Sequence, residues 1–211
     1  MTNKFKTEVI WVIDRMTRLF QSKKNKKLST RITRGRSTAS SNEFEEEIAK
    51  LIEKNTNHKL IIYVDYPLSL PKNKDERVKT IYPDIILIKD KEILAILEVK
   101  IDLGYLSADW SQNRKIILEK LKKSKIVNIN NLKYTISKKF TTATVLLTER
   151  NDHKKVIDFR KNHENTFTLI SQKFDHPNDK IADIKYYIEE IGKEKDNLEN
   201  WRSLNSFLKI F

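Results

Sequence analysis

IYPDIILIKDKEILAILEVK, residues 81–100, puts acids and one lysine into an otherwise apolar pair of strand-like runs. Asp84 follows Pro83 at the mouth of IILI, and Glu98 and Lys100 close ILAILEVK. An acid two residues before a lysine also occurs at Asp152/Lys154 and Asp183/Lys185, so spacing alone does not single out Glu98-Val99-Lys100. Its place at the end of an apolar strand does. Side chains alternate along a strand, so Glu98 and Lys100 share a face with Ile96 and Leu94, while Val99 and Leu97 point the other way. Charges at such a place must be paired, metal-bound or solvated, because burying them alone costs several kcal/mol.

Asp90, Lys91 and Glu92 separate the runs. A three-residue loop pairs position 89 with 93 and therefore 84 with 98. Directly opposite residues share a face, with Cβ atoms about 5 Å apart. Asp84 and Glu98 then form a two-carboxylate cradle for a hard divalent cation, with Lys100 one step along. A two-residue loop shifts the register by one and turns Asp84 to the other face. Asp65, at the end of the preceding strand-like run, is the competing acid, without a short hairpin to Glu98.

Pro83-Asp84, thirteen residues, then Glu98-Val99-Lys100 resembles the signature of the PD-(D/E)XK nuclease superfamily, which includes many type II restriction endonucleases. The resemblance implies Asp84 and Glu98 as metal ligands, the Val99 carbonyl as a further oxygen ligand, and Lys100 as the group that positions water and offsets charge on the phosphate. Such nucleases often carry another active-site Glu on the helix before the first core strand. Glu45, between Phe44 and Ile48, fits that pattern. The lead-in RGRSTASS also looks like the segment before this helix in some restriction endonucleases. Gln112 is followed four residues later by Ile116, where exonuclease-type relatives have Tyr, which counts against that branch.

A chain of 211 residues suits one domain of ordinary size, or a domain with a terminal extension. Hydrophobic residues make up 38% but cluster in clear runs, which predicts a folded protein with a strongly charged surface. The net charge of +13, from 42 Lys and Arg against 29 Asp and Glu, favours a polyanionic partner, nucleic acid first. A lysine-rich solvated surface is the competing explanation. The chain has no cysteine, which excludes thiol nucleophiles and cysteine-based zinc sites. Its four histidines, at 58, 153, 163 and 176, show no paired ligand spacing. No Gly-rich phosphate loop is present, so no nucleotide cofactor is expected. With no signal-peptide pattern and no apolar run of about 20 residues, a cytoplasmic protein without membrane association is expected.

Apolar spacing predicts a first helix over 3–21, then a basic segment, 22–36, with Arg31, Arg34 and Arg36 suited to phosphate or guanine contacts. A second helix is expected over 41–54, most of its glutamates facing solvent, and a strand over 58–66. After Lys100, a helix from about Ser107 to Ser124 carries Arg114 and Lys115 on a basic face able to track phosphates or simply to be solvated. Residues 126–140 read as a polar insertion, 142–148 as a buried strand, 154–162 as a helix and 166–171 as a strand. A terminal helix from Ile181 and a stripe of Trp201, Leu204, Phe207, Leu208 and Phe211 follow.

The expected fold is thus α/β: a restriction-endonuclease-like αβββαβ core with a mixed central sheet flanked by helices. The boundaries are an N-terminal helix and basic arm at 1–40, a nuclease core at 41–172, and a C-terminal helical segment at 173–211 packing on the core or a dimer partner. The resemblance implies a Mg2+-dependent endonuclease acting on double-stranded DNA, with Mn2+ able to substitute, and a homodimer where both strands of a palindrome are cut. A repair, junction-resolving or transposition nuclease of the same fold, or a non-catalytic DNA-binding protein, are the alternatives.

Overall fold

The computed structural model describes residues 1–24, 39–56, 60–70, 80–104, 110–151, 153–163 and 165–211, with backbone alone at 23, 24, 39 and 110–114. The elements run α1 (Asn3–Lys24), α2 (Ala39–Asn55), β1 (Ile61–Val64), β2 (Leu68–Ser69), β3 (Thr80–Ile81), β4 (Ile85–Lys89), β5 (Glu92–Lys100), α3 (Trp110–Lys123), β6 (Ile126–Ile129), β7 (Leu132–Thr148), α4 (His153–Asn162), β8 (Thr166–Ile170), α5 (Ile184–Ile191) and α6 (Lys195–Leu208). This is an α/β architecture around one open, mixed, eight-stranded sheet.

The sheet order is β1-β4-β5-β7-β6-β2-β3, with β8 also on β7. β1, β4 and β5 form an antiparallel meander. β7 then joins β5 in parallel, and β8 joins β7 in parallel. Parallel neighbours need long crossovers; α3 with β6 supplies the first and α4 the second.

Alternation decides what lies on each side of the sheet. Ile85, Leu87, Ala95, Leu97, Val99, Val145 and Leu169 pack on one face with apolar residues of α1, α2, α5 and α6. Ile86, Ile88, Ile93 and Ile96 face the other way, toward Leu121 of α3 and Val127, Ile129 and Tyr134 of β6 and β7. Each fully buried Ile or Leu contributes about 1.5–3 kcal/mol, which fixes which face every strand presents.

Two differences from the sequence expectations bear on the site and on the sheet beside it. The β4–β5 loop is a two-residue turn, not three: Asp90 and Lys91 both have positive φ, 51° and 63°, and Lys89 pairs with Glu92. That alone would set the register one residue away from the expected one. A bulge corrects it, because Ile88 pairs with Ile93 while Leu87 pairs with Ala95, leaving Leu94 as the extra residue. Beyond the bulge Ile85 faces Leu97, the register that brings 84 beside 98. Residues 126–140, expected as a polar insertion, instead hold a hairpin of β6 and the first part of β7, closed by Asn130 and Asn131 with φ of 49° and 63°. Its alternation was hidden because its outward face mixes Asn128, Lys133 and Thr135 with the exposed Ile126.

Candidate active site

Adjacent antiparallel strands bring the start of β4 beside the end of β5, and the charged residues of the opening stretch meet there. Lys100 Nζ lies 2.5 Å from Asp84 Oδ2 and 3.2 Å from Glu98 Oε2. All three side chains are largely buried, with 14–23% of each exposed. The shared contact with one ammonium puts both carboxylates on one side of the sheet. Asp84 Oδ2 also accepts the Val99 backbone N–H at 2.7 Å. In an extended strand a residue's N–H and C=O leave toward the same neighbour, so the Val99 carbonyl also leaves toward the Asp84 side.

Helix α2 packs against β1 and β5 and carries Glu45 to this cluster. Its Phe44, Ile48, Leu51 and Ile52 enter the core, so the helix orientation is fixed by burial. Glu45 is 9% exposed. Burial first, then the charge of Asp84, raises its pKa to about 7; Lys100 opposes this, and Asp65 and Glu98 add to it. Glu47 is buried as well, paired with Arg15 at 3.1 Å and Lys50 at 2.9 Å. Two of the four glutamates at 43, 45, 46 and 47 are therefore buried, where most were expected to face solvent.

Lys100 is held as a cation. Burial, the largest influence, acts to lower its pKa, but the charges of Glu98 and Asp84 and their hydrogen bonds outweigh it, and the pKa is raised. The groups bearing on Glu45 are three other acids and one lysine, an excess of negative charge.

Asp65, set aside as the weaker candidate, ends β1 in a left-handed conformation, φ 48°, and its N–H donates to the Asp84 carbonyl at 2.9 Å. Asp tolerates this conformation better than most residues. It thus stands beside the cluster through the backbone of Asp84. The sequence reading passed over Asp102, two residues beyond Lys100. It is 8% exposed and accepts from Gly104 N–H at 2.7 Å and Asn151 Nδ2 at 2.8 Å, with His176 Nε2 at 3.5 Å. Burial acts to raise its pKa, but the bonds to His176, Gly104 and Asn151 together lower it. This carboxylate anchors the chain as it leaves β5. A Cβ on Gly104 would meet Asp102 Oδ1 at 3.1 Å, so the close approach favours glycine.

Among the expected DNA-contacting residues, Arg31, Arg34 and Arg36 lie outside the described residues. Arg114 lies on α3 with its side chain undescribed, and Lys115 is exposed on the same helix. Among the described residues, no three His, Cys, Asp or Glu side chains form a ready ligand shell. No described helix is long and apolar enough to cross a membrane. Compared with protein-family models, with curated proteins and with solved structures, the chain matches none, so any functional reading rests on the residues themselves.

Proposed function

We propose that the chain is a Mg2+-dependent endonuclease of the PD-(D/E)XK kind, hydrolysing phosphodiester bonds of double-stranded DNA, most like a type II restriction endonuclease. The observation that carries this reading is the convergence of Asp84 and Glu98 on one positive charge, Lys100 Nζ, at the ends of paired strands. Two carboxylates already turned toward one cation, with a backbone carbonyl alongside and surplus negative charge around Glu45, are a donor set suited to a hard divalent ion. With β2, β3 and β6 set aside as additions, the order α2, β1, β4, β5, α3, β7, with β1, β4 and β5 antiparallel and β7 parallel to β5, is compatible with the αβββαβ core implied by the resemblance.

Asp84, Glu98 and the Val99 carbonyl would hold the metal, and Glu45 in its ionised form would hold a second metal through water or orient Lys100. The bound ion supplies Lewis acidity toward the scissile phosphate and the leaving oxygen. Lys100, kept protonated by its neighbours, donates hydrogen bonds: it orients a water for in-line attack and offsets charge that builds on the phosphate. Its ion pairs with the two carboxylates would loosen if those oxygens held a metal. The Val99 N–H holds the Asp84 carboxylate in place throughout. Cutting both strands of a palindrome would take two copies, each active site facing one strand.

The test is incubation of the purified protein with supercoiled and linear duplex DNA and Mg2+, beside Asp84→Ala, Glu98→Ala and Lys100→Ala. Each variant is expected to lose at least about 100-fold in cleavage rate, the scale of removing a group that stabilises developing charge. Unchanged cutting by Asp84→Ala and Lys100→Ala would sink the site assignment. Fixed-position fragments favour the restriction reading; preference for branched DNA favours a repair or junction-resolving nuclease.

A further inference from the structure

The hairpin of β6 and β7 has no part in the site above. One of its faces is buried: Val127, Ile129 and Tyr134 pack in the core. The other is open and polar apart from the exposed Ile126, which pairs with Thr135. Ser69 pairs with both Thr80 and Asn128, and Asn128 pairs with Lys133, so a row of short polar groups ending in a lysine crosses four strands in register. Asn128 and Lys133 are exposed.

Past the hairpin the chain leaves the ladder. Ile93 and Ala95 of β5 pair with Ile136 and Thr141 of β7, so two steps on β5 answer five on β7. Residues 137–140 arch away from β5 and carry Lys138 and Lys139, both exposed. The charge here is one-sided. Between Glu119 and Glu149 the chain holds seven lysines and no acid. The acids beside this surface in the ladder are Asp90 and Glu92 of the β4–β5 turn.

We infer that the β6–β7 hairpin and the arch after it form a DNA-gripping surface apart from the catalytic cluster, with Lys133, Lys138 and Lys139 on duplex phosphates. The identity of the polyanion rests on the proposed function; the surface itself rests on register, exposure and charge. Three exposed lysines, Lys133, Lys138 and Lys139, against Asp90 and Glu92 at the neighbouring turn leave a net positive surface that matches the phosphate backbone, where lysines act as point charges and release counterions. The surface lies near Glu92, six residues along β5 from Glu98, about 20 Å of strand.

The experiment measures binding of a labelled linear duplex in metal-free buffer, where cleavage plays no part, across about 50 to 200 mM salt. The proteins are wild type, Lys133→Gln/Lys138→Gln/Lys139→Gln, and a control with the same charge change at exposed Lys180, Lys185 and Lys209. The hairpin variant is expected to bind roughly 10- to 100-fold more weakly at low salt, with a salt slope lower by about 2 to 3. Thermal unfolding equal to wild type shows that the exposed substitutions leave the fold alone. Wild-type affinity and slope in the hairpin variant overturn the inference, as does equal weakening in the control, or no duplex binding by wild type. Loss of binding in the hairpin variant of a protein that never cuts DNA sustains the surface and removes the nuclease.

Discussion

At the residue scale, Glu45 is the group whose protonation the fold alters most usefully. Its folded-state pKa of about 7 stands above the ordinary 4.5, through burial first and the Asp84 charge second. A raised carboxylate pKa means that the folded state binds the proton more tightly than the unfolded chain does. The stabilisation is therefore complete below about pH 4.5 and lost as pH rises through about 7. In metal-free buffer the wild-type melting temperature should fall across that window, through this group, more steeply than that of Glu45→Gln. The glutamine variant, with no charge to bury, should be the more stable protein at pH 8. Thermal unfolding at a series of pH values checks this, and parallel curves for the two proteins would falsify the assignment of a buried, proton-holding Glu45. The same titration makes the carboxylate available as an anion only toward neutral and alkaline pH, where the proposed chemistry needs it.

At the element scale, the hairpin that builds the site contains two offsets that cancel. The Asp90-Lys91 turn is one residue shorter than expected, and Leu94 adds one residue back. Alternation and burial made β4 and β5 legible, because Ile85, Leu87, Ala95 and Leu97 must face one core while Ile86, Ile88 and Ile96 face another. The turn was not legible, since lysine in a left-handed conformation carries no sequence signal of the kind Asn-Gly gives. Neither was the bulge, because Leu94 is as apolar as its neighbours. The β6–β7 hairpin escaped notice for another reason: its outward Asn128, Lys133 and Thr135 read as loop until a pairing partner is known. The bulge makes a specific prediction. Deleting Leu94 should convert β4–β5 into a regular two-residue hairpin that keeps Leu87 opposite Ala95, and with it the Asp84, Glu98 and Lys100 cluster. Inserting one alanine after Ile96 should instead turn Glu98 and Lys100 into the apolar core and unfold the sheet. Circular dichroism and cleavage assays on both variants decide it. An inactive but folded Leu94 deletion would mean that the bulge's twist, and not only its register, shapes the site.

At the scale of the whole molecule, both ends of the chain belong to the same core as the strands that carry the site. Phe5, Val9, Val12, Ile13 and Met16 of α1 and Trp201, Leu204, Phe207 and Leu208 of α6 are buried in one cluster with Leu97 and Val99 of β5. Val99 thus has its side chain in this core and its N–H on Asp84, so packing below the sheet holds the carboxylate above it. Among the described residues Trp201 is the largest fully buried side chain, and its Nε1–H donates to the Leu169 carbonyl on β8 at 2.9 Å. Trp201→Ala should cost about 3–5 kcal/mol from the cavity and the orphaned carbonyl. For a chain of this size that is a fall in melting temperature of about 10 °C. Since Trp201 packs in the apolar core with its Nε1–H on β8, cleavage per folded molecule should stay within about twofold of wild type well below the new midpoint. Differential scanning calorimetry gives the first quantity and a cleavage assay at low temperature the second. Activity lost without a matching loss of folded protein would show that the terminal helix positions the site directly, rather than holding up the sheet on which Val99, Glu98 and Lys100 stand.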